Sequence, residues 1–145
     1  LKTVPPSFSW IRSVWRVDGQ VTSPARAAEA PDAVLELRHL HDGVIARETW
    51  RKGKLALRED LNREGCPIRR REFTDGRLTT QTYTTPGGTL SSCERFAADG
   101  FKTEYRRLDV RPGREGNELE YTWYRRGVPI KQLKRGKMIF DQTDE

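Results

Sequence analysis

Trp50-Arg-Lys-Gly-Lys-Leu55 and Phe73-Thr-Asp-Gly-Arg-Leu78 decide the fold, because in each an aromatic residue and a leucine flank a dipeptide ending in glycine. A two-residue hairpin loop of type I′ needs positive φ at both central positions, and Asp-Gly meets that need best. The same punctuation recurs at Asp42-Gly43, Glu64-Gly65, Asp99-Gly100, Arg126-Gly127 and Arg135-Gly136. A four-residue loop is read at Thr85-Pro86-Gly87-Gly88 and a longer one from Arg111 to Gly116. The intervening runs are too short for helices, so residues 33–145 read as an antiparallel up-and-down meander of about ten short strands.

Residues 1–32 form an irregular N-terminal segment. Alternation at Phe8-Ser9-Trp10 and Trp15-Arg16-Val17 predicts a strand turning at Asp18-Gly19, and Ala25 to Ala30 suits a short helix. At 145 residues the whole chain reads as one domain. Leu1 is not an initiator methionine, so the sequence is read as processed or trimmed. No apolar run approaches the roughly 18 residues of a membrane helix.

Taking each dipeptide as a loop pairs Leu40 with Ile45, Trp50 with Leu55, Phe73 with Leu78 and, around the longer loop, Tyr83 with Leu90. One step further out, Leu61 pairs with Ile68 and Trp123 with Ile130. Strict alternation then collects Leu35, Leu37, Val44, Ala46, Trp50, Leu55, Leu57, Leu61, Ile68, Tyr83, Leu90, Phe96, Phe101 and Tyr105 on one face. Charged residues fill the other. Such an amphipathic sheet needs its apolar face covered, either by curling into an open or closed barrel or by the N-terminal segment packing over it. Leu40, Ile45, Phe73 and Leu78 fall on the charged face: a β-bulge would bring them inside, and without one they form an exposed protein-binding patch.

Glu48, Glu59, Arg70, Gln81 and Ser92 recur along the inner face, placing Glu59 opposite Arg70 and Arg70 opposite Gln81. A buried charge requires a partner, so Glu59 with Arg70 is a specific contact expectation. Two readings stay open: a solvated salt ladder on an open, two-sided sheet, or a barrel interior lined by Arg70, Glu59, Trp50, Tyr83 and Tyr105 that holds a lipid-like or anionic ligand.

Cys66 and Cys93 fall on different faces with a strand between them, beyond disulfide reach, and are expected as free thiols. His39 and His41 read as a solvated pair beside a turn. Their spacing to the cysteines matches no zinc pattern, so no metal or cofactor is expected. The sequence contains no Gly-x-Ser-x-Gly, no phosphate-binding loop and no His-Glu-x-x-His, and arginines near Glu59 and Glu72 would lower rather than raise their pKa values. A non-enzymatic role is expected. The 27 Lys and Arg exceed the 21 Asp and Glu, for a net charge of +6. The cations interleave with acids except from Tyr124 to Lys137, which makes nucleic-acid binding through that stretch a lesser alternative.

The unit of an aromatic or leucine, a glycine-ended turn and a second apolar residue resembles the MORN-like hairpin repeats of bacterial antitoxin-type proteins. It is carried by Trp50 to Leu55, Phe73 to Leu78, Tyr83 to Leu90 and Phe96 to Phe101. The resemblance implies a non-catalytic β scaffold that binds proteins or membrane surfaces. By architecture alone, the meander is also similar to the half-open barrels of envelope lipoproteins. The expected role is therefore a scaffold module binding another protein, with the cell envelope favoured as its compartment and a barrel carrier as the alternative.

Overall fold

The computed structural model describes residues 11–143. They form a 12-stranded antiparallel sheet with one short helix. The strands are β1 (Ile11–Val17), β2 (Gln20–Thr22), β3 (Asp32–His39), β4 (Gly43–Arg51), β5 (Lys54–Leu61), β6 (Pro67–Thr74), β7 (Arg77–Thr84), β8 (Leu90–Phe96), β9 (Lys102–Leu108), β10 (Glu118–Arg125), β11 (Val128–Lys134) and β12 (Lys137–Asp141). Helix α1 (Pro24–Glu29) links β2 to β3. From β3 to β12 neighbours in sequence are neighbours in space, while β1 lies between β3 and the edge strand β2. β2 and β12 stand at opposite ends, so the sheet is open, not a closed barrel. β1 and β2 extend the sheet instead of packing over it, and among the described residues α1 packs on its surface. The alternation at Phe8 to Trp10 lies outside the described residues.

Five turns adopt the type I′ geometry, with positive φ at both positions: Asp18-Gly19, Lys52-Gly53, Asp75-Gly76, Arg126-Gly127 and Arg135-Gly136. Lys52 and Arg126 accept φ near 50° because a right-twisted hairpin leaves a two-residue loop little alternative. The loops at 62–66, 85–89 and 97–101 share another closure. In each, the first N–H bonds the last carbonyl, and the glycine N–H bonds the first carbonyl.

A bulge follows nearly every turn at a fixed offset. Ala56, Ile68, Thr79, Ser91, Thr103, Leu119, Ile130 and Ile139 are each the extra residue of a register shift, and each lies three positions after a turn glycine. Ile45 is the extra residue of the β3–β4 hairpin. Where the bulged residue carries a hydroxyl, that hydroxyl donates to a carbonyl of the preceding strand: Thr79 to Glu72 at 3.1 Å, Ser91 to Tyr83 at 3.0 Å and Thr103 to Arg95 at 3.3 Å. The bond replaces part of the ladder that the bulge interrupts.

These bulges overturn the one-sided face assignment. Each resets the alternation within its strand, so the apolar set divides between two faces. The face carrying α1 has Trp50 paired with Leu55 and Phe73 with Leu78, as expected from the turns, and Phe96 and Tyr124 in equivalent places. This apolar row follows the margin formed by the turns at 52–53, 75–76, 97–101 and 126–127. The opposite face has its own row along the other margin, where Leu61 pairs with Pro67, Thr84 with Leu90 and Leu133 with Met138. Several expected pairs are therefore displaced. Tyr83 faces Ser92 rather than Leu90, Trp123 faces Lys131 rather than Ile130, and Ile68 is a bulge. Leu40 lies in a three-residue turn closed by His39 and Gly43, and Ile45 bulges beside it, so these two do not pair.

The buried apolar residues are Ala27, Ala33, Ala46 and Leu61. Two of the four, Ala27 and Ala33, belong to the corner where α1 lies across the sheet. Ser23 caps α1 by accepting the Arg26 N–H, and Pro24 opens it at a position where its missing N–H has no helical acceptor.

Candidate functional site

Where α1 crosses the sheet it leaves a crevice of about 240 Å³ lined by Trp15, Pro24, Ala28, Ala30, Trp50 and Gly53, with Ala27 and Ala33 completing the wall. Trp15 on β1 and Trp50 on β4 meet edge to face, ring centroids 6.1 Å apart at 60°. Register explains the meeting: Trp15 is opposite Leu35 and Trp50 opposite Ala33, so both indoles stand on the α1 face of the strands flanking and forming β3's ladders. The alanines of α1 are small enough for the helix to sit close without filling the space. The Trp50 indole N–H donates to Glu48 at 3.2 Å, and Arg58 donates to the second oxygen of Glu48 at 2.8 Å.

That Glu48–Arg58 contact begins a polar spine across the α1 face. Arg58 also reaches Asp60 at 3.3 Å, and Arg71 reaches the same carboxylate at 3.5 Å. Further on, Arg69 donates to Gln81 at 2.8 Å, Gln81 to Glu94 at 3.3 Å and Lys102 to Glu94 at 2.7 Å. The Lys102 ammonium also lies 5.4 Å from the Tyr105 ring and 5.7 Å from the Tyr124 ring. Partial burial disfavours the charge on Lys102, but Glu94 more than offsets this and raises its pKa above the ordinary lysine value. Burial pushes the Tyr105 hydroxyl up as well.

The opposite face is also charged, with different features. A broad hollow of about 520 Å³ above β3 and β4 is lined by Arg16, Asp18, Asp32, Glu36, Arg47 and Thr49, among others. Glu36 is buried beneath it and paired with both Arg16 and Arg38. Burial raises its carboxyl pKa, yet the two guanidinium groups win and hold it below the ordinary carboxylate value. Two arginines and three carboxylates around one hollow give it no strong preference for either charge.

Near the C-terminal end of that face, Tyr121 and Trp123 stack at 3.7 Å and 7°. Arg106 covers Tyr121 and Lys131 covers Trp123, each at 4.9 Å. Cations and rings occupy each other's faces, so the stack leaves no open ring for a nucleic-acid base. The basic residues beyond Tyr124 are split as well: Lys131 stands opposite Trp123 on this face, and Lys134 faces Lys137 on the other.

The residues singled out from sequence do not converge on one lining. Glu59 and Arg70 are directly opposite in register, but the Arg70 guanidinium pairs with Glu72 at 3.3 Å, and Arg70 faces Thr82 instead of Gln81. Both stand on the open face, whereas Trp50, Tyr83 and Tyr105 stand on the α1 face. In the patch Leu40, Ile45, Phe73 and Leu78, the bulge at Ala56 brings Phe73 and Leu78 into the row with Trp50, while Leu40 is 69% exposed at a turn. Cys66 is exposed in the 62–66 loop and Cys93 half-buried on the open face, both as free thiols. Burial raises the Cys93 thiol pKa above the ordinary cysteine value. His39 lies 3.3 Å from Asp42 and 5.9 Å, ring to ring, from His41. Among the described residues no group of three or more His, Cys, Asp or Glu side chains is arranged to hold a metal, and no helix is long and apolar enough to cross a membrane.

The sequence reading missed the crevice because it assigned the first 32 residues no face. Its signals were present: Trp15, and the small-residue run from Ala25 to Ala30. Buried Glu36 was missed because strict alternation placed it on a solvated face.

No family model matches the chain, and no curated protein matches it. Solved structures share its fold. A chain in the GtfA/B complex bound to UDP and GlcNAc superimposes with a TM-score of 0.53 at 14% identity, over 92% of this chain and 25% of that one. The crystal structure of TarM gives a TM-score of 0.51 at 14% identity, over 70% of this chain and 19% of that one. This chain thus spans a quarter or less of either, and the likeness is one of fold alone.

Proposed function

We propose that this chain is a non-catalytic sheet module that binds another protein. The observation carrying this reading is the single-layer architecture: among the described residues two faces carry apolar rows, and no second layer other than α1 packs on them. The accessible surface is 10118 Å², against about 7,600 Å² for a compact monomer of this mass. A single layer cannot enclose its apolar residues, and apolar rows left accessible favour association. The fold likeness is consistent with an accessory role, since in both neighbours the matching part is a minor share of a larger chain, and one of them is a named two-component complex. The repeated hairpin unit supports the MORN-like scaffold reading in the same sense. The carrier alternative loses its lumen in an open sheet, and its proposed lining is divided between two faces.

Photo-crosslinking tests the proposal. A benzophenone amino acid placed at Leu78 or Leu90, one in each apolar row, should give one discrete protein adduct in the native host, while the same group at turn residue Asp99 should not. Equal labelling from all three positions, or native mass spectrometry showing a retained small molecule and no protein adduct, would reject it.

A further inference from the structure

We propose that the apolar row on the α1 face, from Phe73 to Tyr124, is the seat of an acidic amphipathic helix from a partner protein. This rests on the protein-binding reading and names the chemistry of the partner. Phe73, Leu78, Phe96 and Tyr124 lie half-buried along the row. Phe101 is 49% exposed and bridges to the next hairpin, where a Cβ on Gly127 would stand 3.2 Å from its ring. Outside the row, the hairpin tips at 51–54, 74–77, 97–101 and 125–127 carry six exposed cations, Arg51, Lys52, Lys54, Arg77, Arg125 and Arg126, against two carboxylates, Asp75 and Asp99. Asp75 pairs with Lys54 at 3.6 Å, and Asp99 accepts the Phe101 N–H at 3.0 Å. Six cations less two acids leave this margin four positive charges, most of the chain's net +6. On the inner side, the carboxylates of Asp60 and Glu94 are already engaged by Arg58, Arg71 and Lys102. An apolar line with a cationic outer border is complementary to a helix that has one apolar stripe and acids along one flank. The pitch agrees: equivalent positions recur every second strand, about 9.6 Å, and a helix repeats a face every seven residues, about 10.5 Å. α1 already lies on this face at Trp50, where the row begins. A second copy would bring the same positive margin and is repelled. Half-buried side chains set between charged lines suit a packed helix better than a bilayer, which needs protruding apolar groups. The residues flanking the sheet do not satisfy this border. The one charged residue before Ile11 is Lys2, and Phe8 and Trp10 are tethered within about 10 Å of Ile11, which pairs with His39 at the opposite margin of β1, four strands from β6. Asp144 and Glu145 follow Thr143, which accepts from Arg125, and reach only about 7 Å beyond it, far from Lys52 and Arg77.

The test uses the full chain with the benzophenone amino acid at Leu78, and the crosslinked peptide is identified by mass spectrometry. The expected adduct is a segment with apolar residues at helical spacing and an excess of Asp and Glu. Its yield should fall about tenfold between about 50 and about 300 mM NaCl. It should also fall about tenfold in Lys52→Glu/Arg126→Glu, while Arg114→Glu/Arg135→Glu, at the opposite margin, should leave it within about twofold. The salt series needs no variant, so it decides the matter even if a charge reversal disturbs folding. A basic or neutral adduct, an adduct indifferent to salt and to the Lys52 and Arg126 reversals, or an adduct from Leu90 alone overturns the acidic helix and leaves the protein-binding reading in place. No protein adduct from Leu78 or Leu90 removes both. Co-flotation with vesicles of phosphatidylcholine and phosphatidylglycerol at about three to one, in place of a protein adduct, would assign the row to an anionic membrane and overturn the inference as well.

Discussion

At the β1–β4 corner α1 lies over the sheet, and Ala27 and Ala33 are buried between helix and strands. From β6 to β12, among the described residues, no second layer exists. There the sheet is covered by its own side chains: guanidinium groups, lysine stems and tyrosine rings lie along the strands and satisfy one another. Thr122 shows how effective this is, being 1% exposed on a sheet with nothing packed above it, beneath Gln132, which donates to its hydroxyl at 3.0 Å. The corner uses apolar burial, which is non-directional and scales with area. The distal sheet uses directional contacts, each worth less and each dependent on register. A register set by bulges at a constant offset from glycine is therefore what lets the distal part exist without a core.

Substitutions should separate the two regimes. Trp50→Ala removes an indole from the layered corner and should cost about 3 kcal/mol in urea unfolding. Tyr124→Ala, in the equivalent place on the distal sheet, should cost about 1 kcal/mol, and equal losses would break the contrast. Next in size, Gly53→Val puts a β-branched residue at φ of 76° and should cost about 2 kcal/mol. In the distal sheet, Thr79→Val deletes the hydroxyl clamp of a bulge and should lower stability by about 1 kcal/mol. The reverse change, Ile68→Thr, should recover part of a clamp in a hairpin that lacks one, and differential scanning calorimetry on both variants would show whether the clamp or only the bulge matters.

The smallest effect concerns acid. Asp109, at the head of the 109–117 loop, accepts from the Arg111 N–H at 3.0 Å and from its guanidinium at 2.6 Å. Those bonds hold its carboxyl far below the ordinary range. A depressed folded-state pKa stabilises the protein fully above the unfolded value of about 4, and the benefit fades as pH falls through and below it. Melting temperature should therefore fall more steeply below about pH 4 in the parent than in Asp109→Asn, and parallel pH curves would remove Asp109 from the account.

Much of the fold was legible because turn chemistry is local. Glycine-ended dipeptides fix reversals whatever the rest of the chain does, and Trp50 with Leu55 and Phe73 with Leu78 follow from the loop length alone. The faces were not legible by alternation, because one extra residue per hairpin reverses parity and a bulge leaves no mark in composition. Its offset from glycine is visible only when hairpins are superimposed: Thr79, Ser91 and Thr103 then fall in one column with Ala56 and Ile68. Of the candidate site, Trp50 was readable and its partners were not. The crevice depends on β1 joining the sheet beside β3, a long-range choice that no local signal in Ile11 to Val17 announces.

The alternation of turns between margins also constrains how such a chain can change length. Each strand is related to the next by a half-turn that exchanges both the margin and the exposed surface. Removing one strand would invert everything downstream, turning the Tyr121–Trp123 stack to the side that now carries Lys102. Excising residues 57–79, two strands with their turns, would join equivalent positions and leave every later side chain pointing as before. Growth or loss in this architecture is thus permitted only by even steps, and a shortened variant of that kind should retain its C-terminal chemistry intact.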